Sequence, residues 1–95
     1  MSGNNLKRIE IIASQSLEDI VMQRLEQEKL ASCHTKIPAV MGHGYTDPKE
    51  GNHVWPELNF MLIIYCGDSE AAKITKLMDE IREQHPKEGI SCFCM

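Results

Sequence analysis

The stretch Leu58-Asn59-Phe60-Met61-Leu62-Ile63-Ile64-Tyr65 is apolar everywhere except Asn59. Read at a period of two, Leu58, Phe60, Leu62 and Ile64 share one face, while Met61, Ile63 and Tyr65 share the other. A strand that is apolar on both faces needs cover on both sides. The rest of the chain supplies cover for only one of them.

Working outward, Lys7 to Ala13 reads as a strand, with Ile9 and Ile11 on one face and Ile12 on the other. Ser16 is a natural N-cap with Asp19 three residues on, and Leu17, Ile20, Val21 and Leu25 recur at helical spacing as far as about Leu30. Ser32 to Met41 is a second extended segment. Pro38 has no backbone donor, so that strand is an edge or is bulged there. Beyond Tyr65, Gly67 breaks the strand and Asp68 or Ser69 caps a helix striped by Ile74, Leu77, Met78 and Ile81. His85-Pro86 ends that helix, and Gly89 turns the chain into a last strand, Ile90 to Cys94.

The order β-α-β-β-α-β with right-handed crossovers gives an α+β fold. It is a ferredoxin-like four-stranded antiparallel sheet with both helices on one face. Met61, Ile63 and Tyr65 then lie on an uncovered apolar face, and self-association is the simplest way to bury it.

All 95 residues make one domain, 42% hydrophobic and 25% charged, which is ordinary for a globular protein. A net charge of −4 gives no electrostatic case for nucleic acid or an anionic membrane surface. The longest apolar run, Phe60 to Cys66, is far below the ~20 residues of a membrane span. Met1 to Lys7 is polar, with no apolar signal core behind it. The expected compartment is the cytoplasm, where the four cysteines stay reduced.

Residues 42–56, between the second and third strands, form a long irregular connection of the kind that tends to carry function. They hold Gly42 and Gly44 bracketing His43, as well as His53 and the single tryptophan, Trp55. The bracketing glycines let the backbone take positive φ or approach a ligand closely. Trp55 suits either packing at the loop base or stacking on an adenine or a partner protein.

The element order, with Val40-Met41-Gly42-His43-Gly44 opening that loop, resembles the PII signal-transduction superfamily. Ile37-Pro38 before it and Trp55-Pro56 after it look like the divergent PII-like members. The resemblance implies a homotrimer with its sheets facing a central axis and effector sites in the clefts between subunits. It also implies a loop that docks a transporter, enzyme or regulator. By position, Gly42, His43, Gly44, Lys87 and Gly89 would bind the effector, an adenine nucleotide or small anion. Tyr45, Asp47, Lys49 and Trp55 would belong to the docking loop. PII proteins hold phosphates with a glycine-rich turn ending in lysine and with C-terminal arginines. Here the turn is Pro86-Lys87-Glu88-Gly89 and no arginine follows Arg82. Several phosphate charges need several backbone donors and cations. High-affinity ATP binding is therefore not expected, and AMP, ADP, a different small anion or no ligand at all stay open.

The run Pro38 to Gly44 also resembles a Pro-x-x-x-Gly-His-Gly run of divergent PII-like proteins that accompany heavy-metal efflux systems. That resemblance implies a second reading: a trimeric accessory protein binding zinc or copper, linked to metal efflux or homeostasis. His43 and His53 stand near the two ends of the loop, and Cys92 and Cys94 project from one face of the last strand. A third is a plain interaction module with no ligand. Catalysis is not expected. Cys66 and His85 have no third group to orient them, Glu18, Asp19, Asp79 and Glu80 sit in helix segments, and Ala13 to Ser16 lacks an arginine for an anion cradle.

Overall fold

Strand β3, Glu57–Cys66, lies inside a four-stranded sheet of order β2-β3-β1-β4 whose pairings are all antiparallel. The computed structural model describes residues 6–42 and 57–95. The other elements are β1 (Lys7–Ser14), α1 (Glu18–Gln27), β2 (His34–Gly42), α2 (Asp68–Gln84) and β4 (Ile90–Cys94), with a 3-10 turn at Gln15–Leu17 leading into α1. This is the β-α-β-β-α-β ferredoxin-like arrangement expected from the sequence.

The register explains which residues are buried. Ile9 pairs with Ile64, Ile11 with Leu62 and Ala13 with Phe60, so their side chains share one face. That face packs against Leu17, Val21 and Leu25 from the α1 side and Ala71, Ile74, Leu77, Met78 and Ile81 of α2, all buried. Removing the larger of these side chains from water stabilises the fold by about 1.5–3 kcal/mol each. The opposite face pairs Ile12 with Met61, Glu10 with Ile63 and Arg8 with Tyr65, and adds Ile37 and Phe93 from the flanking strands. Nothing in the described chain covers it. Tyr65 is 55% exposed and Phe93 51%.

Three local features differ from the sequence reading. Ser16 does not cap α1. The chain leaves β1 in a tight 3-10 turn, the helix N-cap is Leu17 without a side-chain cap bond, and the Ser16 hydroxyl donates to the Glu88 carboxylate instead. Glu18 and Asp19 still place negative charge at the positive helix end, and Glu18 also pairs with Lys36 of β2 at 2.7 Å. Secondly, α1 ends at Gln27 rather than near Leu30, because a Schellman cap follows. Leu30 N–H donates to Leu25 O at 2.8 Å and Lys29 N–H to Glu26 O at 3.0 Å, which forces Lys29 to φ 58°. Ala31 follows at φ 57°, its N–H donating to Glu70 Oε2 at 2.8 Å. Thirdly, the β2–β3 register shifts between Ile37 and Val40, which is where Pro38 demands a bulge.

The Schellman position is normally glycine because a Cβ in the left-handed region costs roughly 1–2 kcal/mol. Lys29→Gly is therefore expected to raise unfolding stability by about 1 kcal/mol. A denaturant midpoint that stays put or falls would contradict the strained cap.

Candidate functional site

The ladder between β2 and β3 closes at the pair Gly42–Glu57, and residues 43–56 leave and return there. His43, Gly44, Tyr45, Asp47, Lys49, His53 and Trp55 lie outside the described residues. Gly42 itself is strand, with φ outside the left-handed region. Its lack of a side chain matters for space: a Cβ there would sit 2.6 Å from Asn59 Nδ2. Next to it, Met41 pairs with Leu58, and these are 71% and 46% exposed. The base of the segment thus presents apolar surface.

The same sheet end carries a polar network that the sequence reading missed. Ser14, the last residue of β1, pairs with Asn59, and its N–H donates to Gly89 O at 3.0 Å. Ser14 and Ser16 share a hydroxyl hydrogen bond at 3.0 Å, and Ser16 holds the Glu88 carboxylate. Gln15 Nε2 donates to Pro38 O at 2.8 Å, tying the 3-10 turn to the bulge of β2. The Lys87–Gly89 turn and the strand carrying Gly42 are therefore linked through residues 14–16. A Cβ on Gly89 would point into open space, so it is the carbonyl of Gly89, not its missing side chain, that does structural duty. Within one chain β3 and β1 lie between Gly42 and this turn, a separation of ~14 Å at ordinary strand spacing. One small anion cannot touch both in the same chain.

The candidate metal ligands are distributed differently. Cys92 and Cys94 share the helix-covered face of β4, and Cys94 pairs with Ile9, close to the start of β1. That is ~17 Å along the strand from Ser14 and the loop end. Among the described residues no group of three or more His, Cys, Asp or Glu is set to hold a metal ion. The His34 ring bonds through Nδ1 to Ala31 O at 2.8 Å, and Cys33 is exposed. Burial pushes the Cys66 and Cys92 thiols above their ordinary range.

On the uncovered sheet face Arg8 is the organising cation. Its Nε donates to Glu10 Oε2 at 2.8 Å, Nη1 donates to the Tyr65 hydroxyl, and the guanidinium lies 5.5 Å from the Tyr65 ring centroid. Glu10, and then Tyr65, hold its pKa above the usual value. Among the described residues no helix is long and apolar enough to cross a membrane.

No family model and no curated protein matches this sequence. Solved structures match by fold, and the fold they define is that of the PII-like signalling proteins. A PII-like signalling protein from Thermus thermophilus superposes with a TM-score of 0.66 at 20% identity, covering 95% of this chain and 84% of that chain. CPII from Thiomonas intermedia, in a structure bound to ADP and bicarbonate, gives 0.66 at 18% identity over 95% of this chain and 85% of that one. The periplasmic divalent cation tolerance protein CutA from Archaeoglobus fulgidus gives 0.55 at 19% identity, covering 92% and 81%.

The close approach at Gly42 is open to test. Gly42→Ala is expected to cost stability in the native background and less in an Asn59→Ala background, a coupling a double-mutant cycle reads directly. Equal costs in both would show that the methyl group does not meet the Asn59 amide.

Proposed function

We propose that this chain is a homotrimeric regulatory protein of the PII-like kind. In this reading it senses an adenine nucleotide or small anion in clefts between subunits and answers through residues 42–56, which dock a partner protein. The observation that carries the proposal is the convergence, at one sheet end, of the strands flanking residues 42–56 with the Lys87–Gly89 turn. A ligand bound against that turn would touch elements tied by hydrogen bonds to the bulge that aims β2 into the loop. CPII, of the same fold, is bound to ADP and bicarbonate, which supports the effector class.

The separation of Gly42 from Lys87 within a chain favours a site completed by a neighbouring copy. In such a cleft one subunit's Gly42 strand would face another subunit's turn. The uncovered apolar face supplies the reason for the copies to meet. Among the sequence-derived candidates, Gly42, His43, Gly44, Lys87 and Gly89 are assigned to the effector, and Tyr45, Asp47, Lys49 and Trp55 to the partner. The role is regulatory rather than catalytic, and a cytoplasmic setting suits it.

Titration calorimetry with ADP, AMP and bicarbonate tests this. An adenine nucleotide, alone or with bicarbonate, is expected to bind, and Lys87→Ala is expected to weaken it about tenfold or more, the loss of one charge-assisted contact of ~1.5–3 kcal/mol. Binding of none of the three, or binding indifferent to Lys87→Ala, would overturn the assignment.

A further inference from the structure

Three of the four cysteines gather at the sheet end far from the loop, all on the helix-covered side: Cys66 closing β3, and Cys92 and Cys94 on β4. Cys66 pairs with Lys7 and is buried, with β1 between it and β4. Cys92 and Cys94 have no such separation. They stand two residues apart on one strand, and β4 is an edge strand open to approach.

Their spacing decides what they can do together. Alternate residues of a strand are ~6.7 Å apart at Cα, with Cβ directions nearly parallel. A disulfide needs Cβ atoms ~3.5–4.5 Å apart, so this pair cannot close one without moving backbone. A single ion bonded to both sulfurs in line needs them ~4.6 Å apart, two bonds of ~2.3 Å. Side chains on a strand lean along it in either of two common staggered χ1 states, so two thiols on one face can tilt toward each other without leaving a rotamer well.

The surroundings select the ion. The nearby carboxylates, Asp68 at 3.8 Å from Lys7 and Asp79 at 2.6 Å from Arg82, are exposed and offer hard oxygens, which a soft ion does not select. The Thr75 hydroxyl donates to Ala71 O at 2.9 Å and also neighbours the Cys92 thiol, but a neutral, hard oxygen is no ligand for a soft ion. No third or fourth His, Cys, Asp or Glu among the described residues completes a tetrahedral set. A site of two thiolates and nothing else suits a soft ion of low coordination number. We infer that Cys92 and Cys94 chelate one copper(I) ion per chain, as a two-thiolate site on the helix side of β4.

Binding forms two Cu–S bonds and releases two thiol protons, leaving the chelate one negative charge with copper still in the +1 state. Lys7, Lys76 and Arg82 stand around the pair to balance that charge, against Asp68 and Asp79. Each thiol must give up its proton to bind, so affinity should rise with pH as protons cease to compete. The site faces α2, whereas the proposed contact between copies uses the other face of the sheet. It therefore stands or falls independently of the effector reading.

The test is anaerobic titration of the reduced protein with copper(I) against a colorimetric copper(I) chelator. One equivalent per chain is expected, with near-ultraviolet thiolate-to-copper absorption. Cys94→Ser, at an exposed position that leaves the core intact, should weaken binding at least tenfold. Cys92→Ser should do the same, and Cys33→Ser should leave binding unchanged. Absence of binding, a stoichiometry of one copper per several chains, retention in Cys94→Ser or dependence on Cys33 would each overturn the assignment.

Discussion

Everything in this fold depends on a strand that is apolar on both sides in a sheet that the helices can cover on only one. Phe60, Leu62 and Ile64 turn toward the helices and are lost to water completely or nearly so. Met61, Ile63 and Tyr65, from the same strand, turn the other way and meet no layer among the described residues. Two helices span one face of a four-stranded sheet, and the described elements leave nothing over for the other. The energetic problem is thus created by the topology that solves the first half of it.

The uncovered face is also not uniformly greasy. Arg8 lies across it, committing its guanidinium to Glu10 and Tyr65 rather than to solvent alone. A face of this composition is suited to a specific, registered contact rather than indiscriminate association, because a charged pair buried out of register leaves unpaired charge behind. At the loop end the polar links run differently. Ser14, Gln15 and Ser16 join the ends of β1, β2 and the turn before β4 into one unit. Events at Lys87–Gly89 and at the roots of residues 42–56 are therefore mechanically connected.

The sequence made some of this readable and hid the rest for physical reasons. The faces of β1 and β3 follow from a period of two, and the bulge in β2 follows from the missing donor of Pro38; both are local properties. Ser16 misled because a hydroxyl two residues past a strand serves a helix cap or a turn equally well. Its actual partner, Glu88, is 72 residues away. The left-handed Lys29 and Ala31 are not legible either, since neither residue favours that region and the conformation is fixed by bonds to Leu25, Glu26 and Glu70. At the candidate site, the shared face of Cys92 and Cys94 came from strand geometry, whereas Gly42, read as the first residue after a strand ending at Met41, is the last residue of β2. The network of Ser14, Ser16 and Glu88 needed the folded chain.

The central claim is that the apolar face of the sheet is buried between copies of this chain, creating the clefts in which an effector would bind. Sedimentation equilibrium at micromolar concentration tests it most directly. The expected mass is about three times the 10.8 kDa of one chain, collapsing toward a single chain when Ile63 is replaced by aspartate. A native protein that sediments as a monomer would contradict it.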